Sequence, residues 1–242
     1  LFAAMHDSMA YGAYLQIGNS APPVFAQAAR RTLALFGSTS PSYLILQSLD
    51  QANRFLAGEG PAQIRQTAAQ VAGLKSRLAL AGWEILPGEA LKLTLRGRPH
   101  GYSGGALAEQ LRQDRVEAEY WDPDHLTLMF STGNQTLDYQ RIGAALGRLP
   151  KKAPLARPWL ALPRPERCLS PRAALFSPAE TVAAEAAVGR VLVAPSTGCP
   201  PAVPVAVSGE RIGPEAAAIF RYYGTERLVV LKENGERICA RG

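Results

Sequence analysis

Cysteine is scarce in this 242-residue chain: Cys168, Cys199 and Cys239 are scattered, with no CxxC spacing. Such a sparse, odd count argues against a disulfide-stapled scaffold and reads as a reduced protein of the cytoplasm. Histidine is as rare. His6, His100 and His125 stand far apart, and none has a second histidine three or four positions on, so a metal site is not expected. Long apolar runs are missing: the stretches 190–195 and 202–208 fall well short of the roughly 20 residues that a membrane helix needs, and no membrane association is expected. The first fourteen residues lack a basic start and carry His6 and Asp7, against a secretory leader. The leading residue is Leu, which reads as the edge of a longer chain. Clustered charge is also absent. Twenty-six Lys+Arg against 20 Asp+Glu leave +6, but only Arg30-Arg31 and Lys151-Lys152 are adjacent basic pairs. A nucleic-acid reader would cluster its cations and interleave aromatics, so the charge reads as a solvated surface.

What is present is a globular balance, 47% hydrophobic and 19% charged. Residues 12–17 have strand character and stop at Gly18-Asn19-Ser20. Helical spacing follows over 21–36, with Pro22 and Pro23 allowed in a first turn, and again over 43–56 behind the hydroxyl-rich Ser38-Thr39-Ser40-Pro41-Ser42. Ile64, Val71, Leu74, Leu78 and Leu80 mark a long amphipathic helix ending near Gly82. The alternation at 91–95 is a half-buried strand. A glycine-rich loop (97–105), a helix (105–114), strands at 116–120 and 126–130 around the turn-forming Asp122-Pro123-Asp124, and a helix (137–149) complete an α/β sandwich module. Residues 151–165, punctuated by four prolines, read as a linker. Beyond it the pattern predicts a helix at 178–188, strands at 190–194 and 203–207, a helix at 214–222 and a strand at 228–231.

Three stretches, in order, resemble the ornithine/lysine/arginine decarboxylase family. Ser38-Thr39-Ser40-Pro41-Ser42-Tyr43 with Leu49-Asp50 is similar to the family's loop after the cofactor lysine. Lys92-Leu93-Thr94-Leu95, Gly101-Tyr102-Ser103-Gly104 and Ser131-Thr132-Gly133-Asn134 with Asp138 resemble its small domain. Ser170-Pro171-Arg172-Ala173-Ala174, Gly189-Arg190, Cys199-Pro200-Pro201 and Ser208-Gly209-Glu210-Arg211-Ile212 resemble its carboxy-terminal domain. The resemblance implies an α/β fold: residues 1–57 as the tail of a large pyridoxal-phosphate-binding domain, 58–150 as an α/β sandwich small domain, and 151–242 as a small α+β carboxy-terminal domain. It implies a fold-type-I lyase acting on a basic amino acid in a homodimer with shared active sites. Ser38, Thr39 and Ser42 would then reach the cofactor phosphate of the neighbouring subunit. Hydroxyls and free N–H groups at a helix start suit a phosphate, although an ordinary N-cap selects the same residues.

Decarboxylation of an α-amino acid leaves a carbanion that the cofactor ring absorbs, and the family anchors the ring by a lysine imine. Aligning Gly12-Ala13-Tyr14-Leu15 with the family's strand sets Ala3 and Ala4 where His-Lys would stand, and no lysine occurs before Lys75. His6 and Asp7 cannot form an imine. After Gly189-Arg190, where the family carries a glutamate, this chain has Val191-Leu192-Val193-Ala194. A degenerate, non-catalytic dimerising scaffold and a chain whose lysine lies in sequence not included here both stay open. No catalytic residue is assigned.

Other positions have plainer readings. The 97–105 loop with His100 lacks a phosphate-binding fingerprint and reads as mobile. Cys199 has no adjacent cation to lower its pKa and reads as a small buried residue. Trp83 and Trp121 read as core or interface aromatics. Glu117, Glu119, Asp122 and Asp124 read as a solvated acidic face.

Overall fold

The computed structural model describes residues 15–37, 39–40, 42–156, 158, 160–161, 163–194 and 204–232. Two compact units emerge, the first built from Leu1–Leu95, Gln110–Glu119 and Thr127–Pro150, the second from Arg96–Glu109, Tyr120–Leu126 and Lys151–Gly242.

In the first unit, α1 (Pro23–Phe36) and α2 (Tyr43–Ala57) follow the predicted helical stretches. Neither builds much core. No side chain of α1 is buried, α2 buries Ser48 and Ala52, and Phe25, Leu33, Phe36, Tyr43 and Leu44 are all exposed. The long helix α3 (Gly60–Leu80) buries Val71, Leu74 and Leu78 at helical spacing and packs on α5 (Thr136–Gly147), which buries Tyr139, Ile142, Ala145 and Leu146. Leu80, assigned from sequence to the apolar face, is exposed because it lies beyond the stripe that faces α5. Before α5, Asp138 accepts the Gln135 backbone N–H at 2.9 Å and Asn134 Oδ1 accepts that of Ser131 at 2.9 Å, so this family-like stretch fixes a helix start.

A four-stranded sheet runs in the order β1-β2-β4-β3, from β1 (Glu84–Leu86), β2 (Lys92–Arg96), β3 (Tyr120–Trp121) and β4 (His125–Met129). In β2 the alternation holds: Leu93 and Leu95 are buried, while Thr94 meets Thr127 of β4 at 3.1 Å. The strand expected at 116–120 is shortened to Tyr120–Trp121, since residues 116–119 carry no regular structure. Among 12–17, residues 15–17 form no strand, and 12–14 lie outside the described residues. Helix α4 spans Gly104–Gln113.

In the second unit, α6 (Pro171–Leu175) starts at Ser170, whose Oγ accepts the Ala173 N–H at 3.2 Å. The helix expected at 178–188 is instead strand β5 (Ala179–Ala183) followed by a 3-10 turn, Glu185–Ala187. Alanine favours helix locally, but pairing with β7 (Arg227–Leu231) overrides it. With β6 (Leu192–Ala194) the sheet order is β5-β7-β6, both pairings antiparallel. Helix α7 (Pro214–Tyr222) buries Phe220 in a core with Leu192, Ile212, Leu228 and Val230. Residues 204–207 form no strand. Cys168 is disulfide-bonded, which corrects the expectation of a chain without disulfides; Cys199 and Cys239 lie outside the described residues.

Candidate functional site

The residues singled out for an anion stand before α2. Ser38 lies outside the described residues, and Thr39 is exposed. Ser42 is the N-cap of α2 in extended conformation (φ −68°, ψ 127°), yet its side chain makes no capping hydrogen bond, and the first turn holds no acidic residue. The leading N–H groups of a 15-residue helix thus have no side-chain acceptor from their own cap. Their partial positive charge suits a phosphate or carboxylate.

The glycine-rich stretch after β2 is packed, not mobile. Gly97 donates to Asp124 O at 3.1 Å, a 3-10 turn covers Arg98–His100, and the chain beyond residue 150 is laid on it through Lys152 N–His100 O (3.1 Å) and Leu155 N–Arg98 O (3.0 Å). The proline-rich 151–165 segment is therefore anchored at this end. A Cβ at Gly104 would fall against the carbonyl oxygens of His125 and Asp122, so only glycine fits there.

Here the expected acidic face divides. Glu117 and Glu119 are exposed, but Asp122 is buried and Asp124 is 1% exposed. Asp124 Oδ1 accepts Arg98 Nε at 2.5 Å and the Tyr222 hydroxyl at 2.5 Å; Arg98 also donates to Tyr222 Oη (3.0 Å) and to Ala156 O (2.6 Å). Asp122 accepts the backbone N–H groups of Asp124 and His125, each at 2.7 Å, and faces His125 Nδ1 and Tyr120 Oη, each at 3.2 Å. Burial alone would raise the Asp122 carboxyl; the bonds from His125 and the two N–H groups outweigh it and hold the group below its usual value. Burial and the neighbouring Asp122 push Tyr120 up to about 12. Burial and the bond to Asp124 also raise Tyr222. Phenols so far from neutrality are poorly matched to proton transfer, and the cluster reads as a clasp joining α7 to the β3–β4 turn. Sequence reasoning missed it. Asp-Pro-Asp-His signalled a turn, but nothing local pointed to Arg98 or Tyr222.

The family-like motifs of the second unit serve the backbone. Gly209 has φ +91° and lies against the Leu169 carbonyl; Glu210 accepts Val207 N at 2.7 Å; Arg211 reaches Glu166 (3.0 Å) and Gly189 O (2.6 Å); Arg190 reaches Glu180 (2.7 Å) and Leu231 O (2.5 Å). Val191, Leu192 and Val193, which stand where the resemblance sets a glutamate, are all buried. Trp83 is buried as expected of a core residue, whereas Trp121 is 53% exposed and covers Gly105. Ala3, Ala4, His6, Asp7 and Cys199 lie outside the described residues. The five lysines are Lys75, Lys92, Lys151, Lys152 and Lys232. Lys75 donates to Glu89 O (3.2 Å), Lys92 pairs with Glu89 (2.9 Å) and Lys152 sits over the Tyr102 ring (4.3 Å). None belongs to α1, α2 or the loop between them.

Comparison with known proteins gives a consistent picture. No family model matches the chain. Over 202 residues it is 27% identical to arginine decarboxylase of Bacillus subtilis strain 168, covering 76% of this chain and 41% of that protein. Over 199 residues it is 30% identical to arginine decarboxylase of Bacillus anthracis, covering 74% and 40%. Its mixed α/β fold matches the constitutive lysine decarboxylase of E. coli (TM-score 0.60, 18% identity, 86% of this chain and 46% of that one) and the Francisella novicida lysine decarboxylase LdcF (0.63, 14%, 91% and 46%). The chain is thus similar to the arginine and lysine decarboxylases and spans less than half the length of these relatives. Among the described residues no helix is long and apolar enough to cross a membrane.

Proposed function

We propose that this chain is the carboxy-terminal portion of a basic amino-acid decarboxylase fold, in which residues 1–57 end a pyridoxal-phosphate-binding domain, 58–150 form the small domain and 151–242 the carboxy-terminal domain. The observation that carries the reading is its similarity to arginine decarboxylases across three quarters of its length. In this reading Ser38, Thr39 and Ser42 face the cofactor phosphate of the neighbouring subunit in a homodimer, and lysine, arginine or ornithine is the substrate. The open start of α2 fits that role, because a phosphate there would satisfy N–H groups that Ser42 leaves uncapped.

The cofactor supplies an electron sink for the carbanion. The residues present fit its phosphate but not its aldehyde, since no lysine stands in the segment that the resemblance assigns to the cofactor domain. No reaction step is therefore assigned to this chain. A second reading, a non-catalytic scaffold or regulatory subunit, is favoured by Val191, Leu192 and Val193, buried hydrocarbon in the stretch where the resemblance sets a glutamate. Adding pyridoxal phosphate to the protein and recording the imine absorbance, with carbon dioxide release from lysine, arginine and ornithine, separates the two. An imine band with lyase activity supports the enzyme; phosphate-dependent retention of the cofactor with neither supports the scaffold. No retention at all would overturn the cofactor site.

A further inference from the structure

The proposed function makes no use of the turn that follows β2, where a buried histidine lies against a strap of chain. His100 is 6% exposed and closes the 3-10 turn Arg98–His100. Residues 151–156 cross that turn. Lys152 N–H donates to His100 O at 3.1 Å and Leu155 N–H to Arg98 O at 3.0 Å, while Arg98 Nη1 donates to Ala156 O at 2.6 Å. The next residue, Gly101, has φ +79°, and a Cβ there would press into Lys152 Cβ and Ala153 O, so the strap lies directly on the backbone of the turn. Residues 151–156 are all exposed and carry no regular structure. Lifting them breaks few bonds and uncovers little apolar surface, the condition for a local opening well short of unfolding.

The charges around the imidazole decide what a proton would do there. On its own turn, the Arg98 guanidinium is paired with Asp124 of the β3–β4 turn at 2.5 Å. On the strap, the Lys152 ammonium sits 4.3 Å from the Tyr102 ring centroid, and Lys151 lays its charge on the imidazole. Burial first, and Lys151 second, hold His100 below its ordinary value. A protonated His100 would be a cation held out of water beside a cationic strap. Opening the strap would relieve both costs, since it admits water and carries Lys151 away.

We propose that residues 151–156 form an acid-released strap: a proton on His100 lifts it from the 3-10 turn and breaks both Arg98 contacts with it. Amide hydrogen exchange of the whole chain, corrected for the intrinsic pH dependence of exchange, tests this. At about pH 7.5 the Lys152 and Leu155 amides should be protected, but less than those of β7, as for an opening short of global unfolding. Between about pH 7.5 and 5 that protection should fall by up to about thirtyfold, the ceiling for a histidine of ordinary pKa about 6.5 that titrates only in the open state. His100→Asn should remove the fall. Lys151→Glu, which sets a carboxylate against the protonated ring, should shrink it by about fivefold, the upper end of what an exposed ion pair contributes. Lys151 is exposed, so this variant decides if His100→Asn does not fold. Strap amides with no protection at about pH 7.5, or with protection equal to that of β7, overturn the proposal. So does protection that stays constant between the two pH values, or a fall that persists unchanged in either variant. None of these outcomes depends on pyridoxal phosphate or lyase activity.

Discussion

The Tyr222 hydroxyl donates to Asp124 Oδ1 at 2.5 Å, sharing that oxygen with Arg98 Nε. The guanidinium also lies 5.8 Å from the Tyr222 ring centroid, so the phenol meets both members of the ion pair. Truncating one partner of a buried pair strands the other charge, and Asp124→Ala should cost about 3–5 kcal/mol. Tyr222→Phe keeps the ring and loses hydrogen bonds, for about 1 kcal/mol. Urea denaturation of both variants checks the ranking. Equal losses would contradict it.

His100 should give the protein a pH-dependent stability near neutrality. Burial, with the charge of Lys151 adding to it, holds the imidazole below its ordinary value. The unfolded chain then takes up a proton where the folded chain resists it, so stability is full above about pH 6.5 and declines on acidification. His100→Asn should flatten the Tm profile just below about pH 6.5. Asp122, also held low, has the same sign but acts only below about pH 4, which keeps the two effects apart.

Two glycine-to-alanine changes should move stability in opposite directions. At Gly104 the added methyl collides with the Asp122 and His125 carbonyls, and a loss of about 3 kcal/mol or more is expected. At Gly73 there is room, and alanine should stabilise by about 0.5–1 kcal/mol. Thermal melts of the two variants decide.

Ser42 separates capping from anion binding. Its side chain makes no cap bond, so Ser42→Ala should change stability by less than about 0.5 kcal/mol, below the usual cost of losing a cap. If the hydroxyl contacts phosphate, the same variant should weaken retention of pyridoxal phosphate by about tenfold, as for a hydrogen bond to a charged group. A large stability loss with unchanged retention would return Ser42 to a plain cap.

Local pattern carried the helices well. The spacing of Val71, Leu74 and Leu78 and the prolines that open α1 and α7 are signals written within a turn or two, and the structure follows them. What pattern could not carry was pairing at a distance. Residues 179–183 look helical until β7 is set beside them. Asp124 looks solvated until Arg98, 26 positions before it, and Tyr222, 98 positions after it, arrive. Of the anion-binding candidates, sequence placed Ser42 at a helix start correctly, while the absence of a side-chain cap is a matter of rotamer that no spacing encodes.

The order β5-β7-β6 also bears on how the chain matures. During synthesis β5 leaves the ribosome well before the middle strand and has no strand partner until Arg227–Leu231 emerges, whereas Leu192 of β6 first meets Gly209 and Glu210. For that interval the β5 edge is available to chaperones or to other nascent chains. Without Arg227–Leu231 that exposure would be permanent, because this one strand pairs with both others of the small sheet.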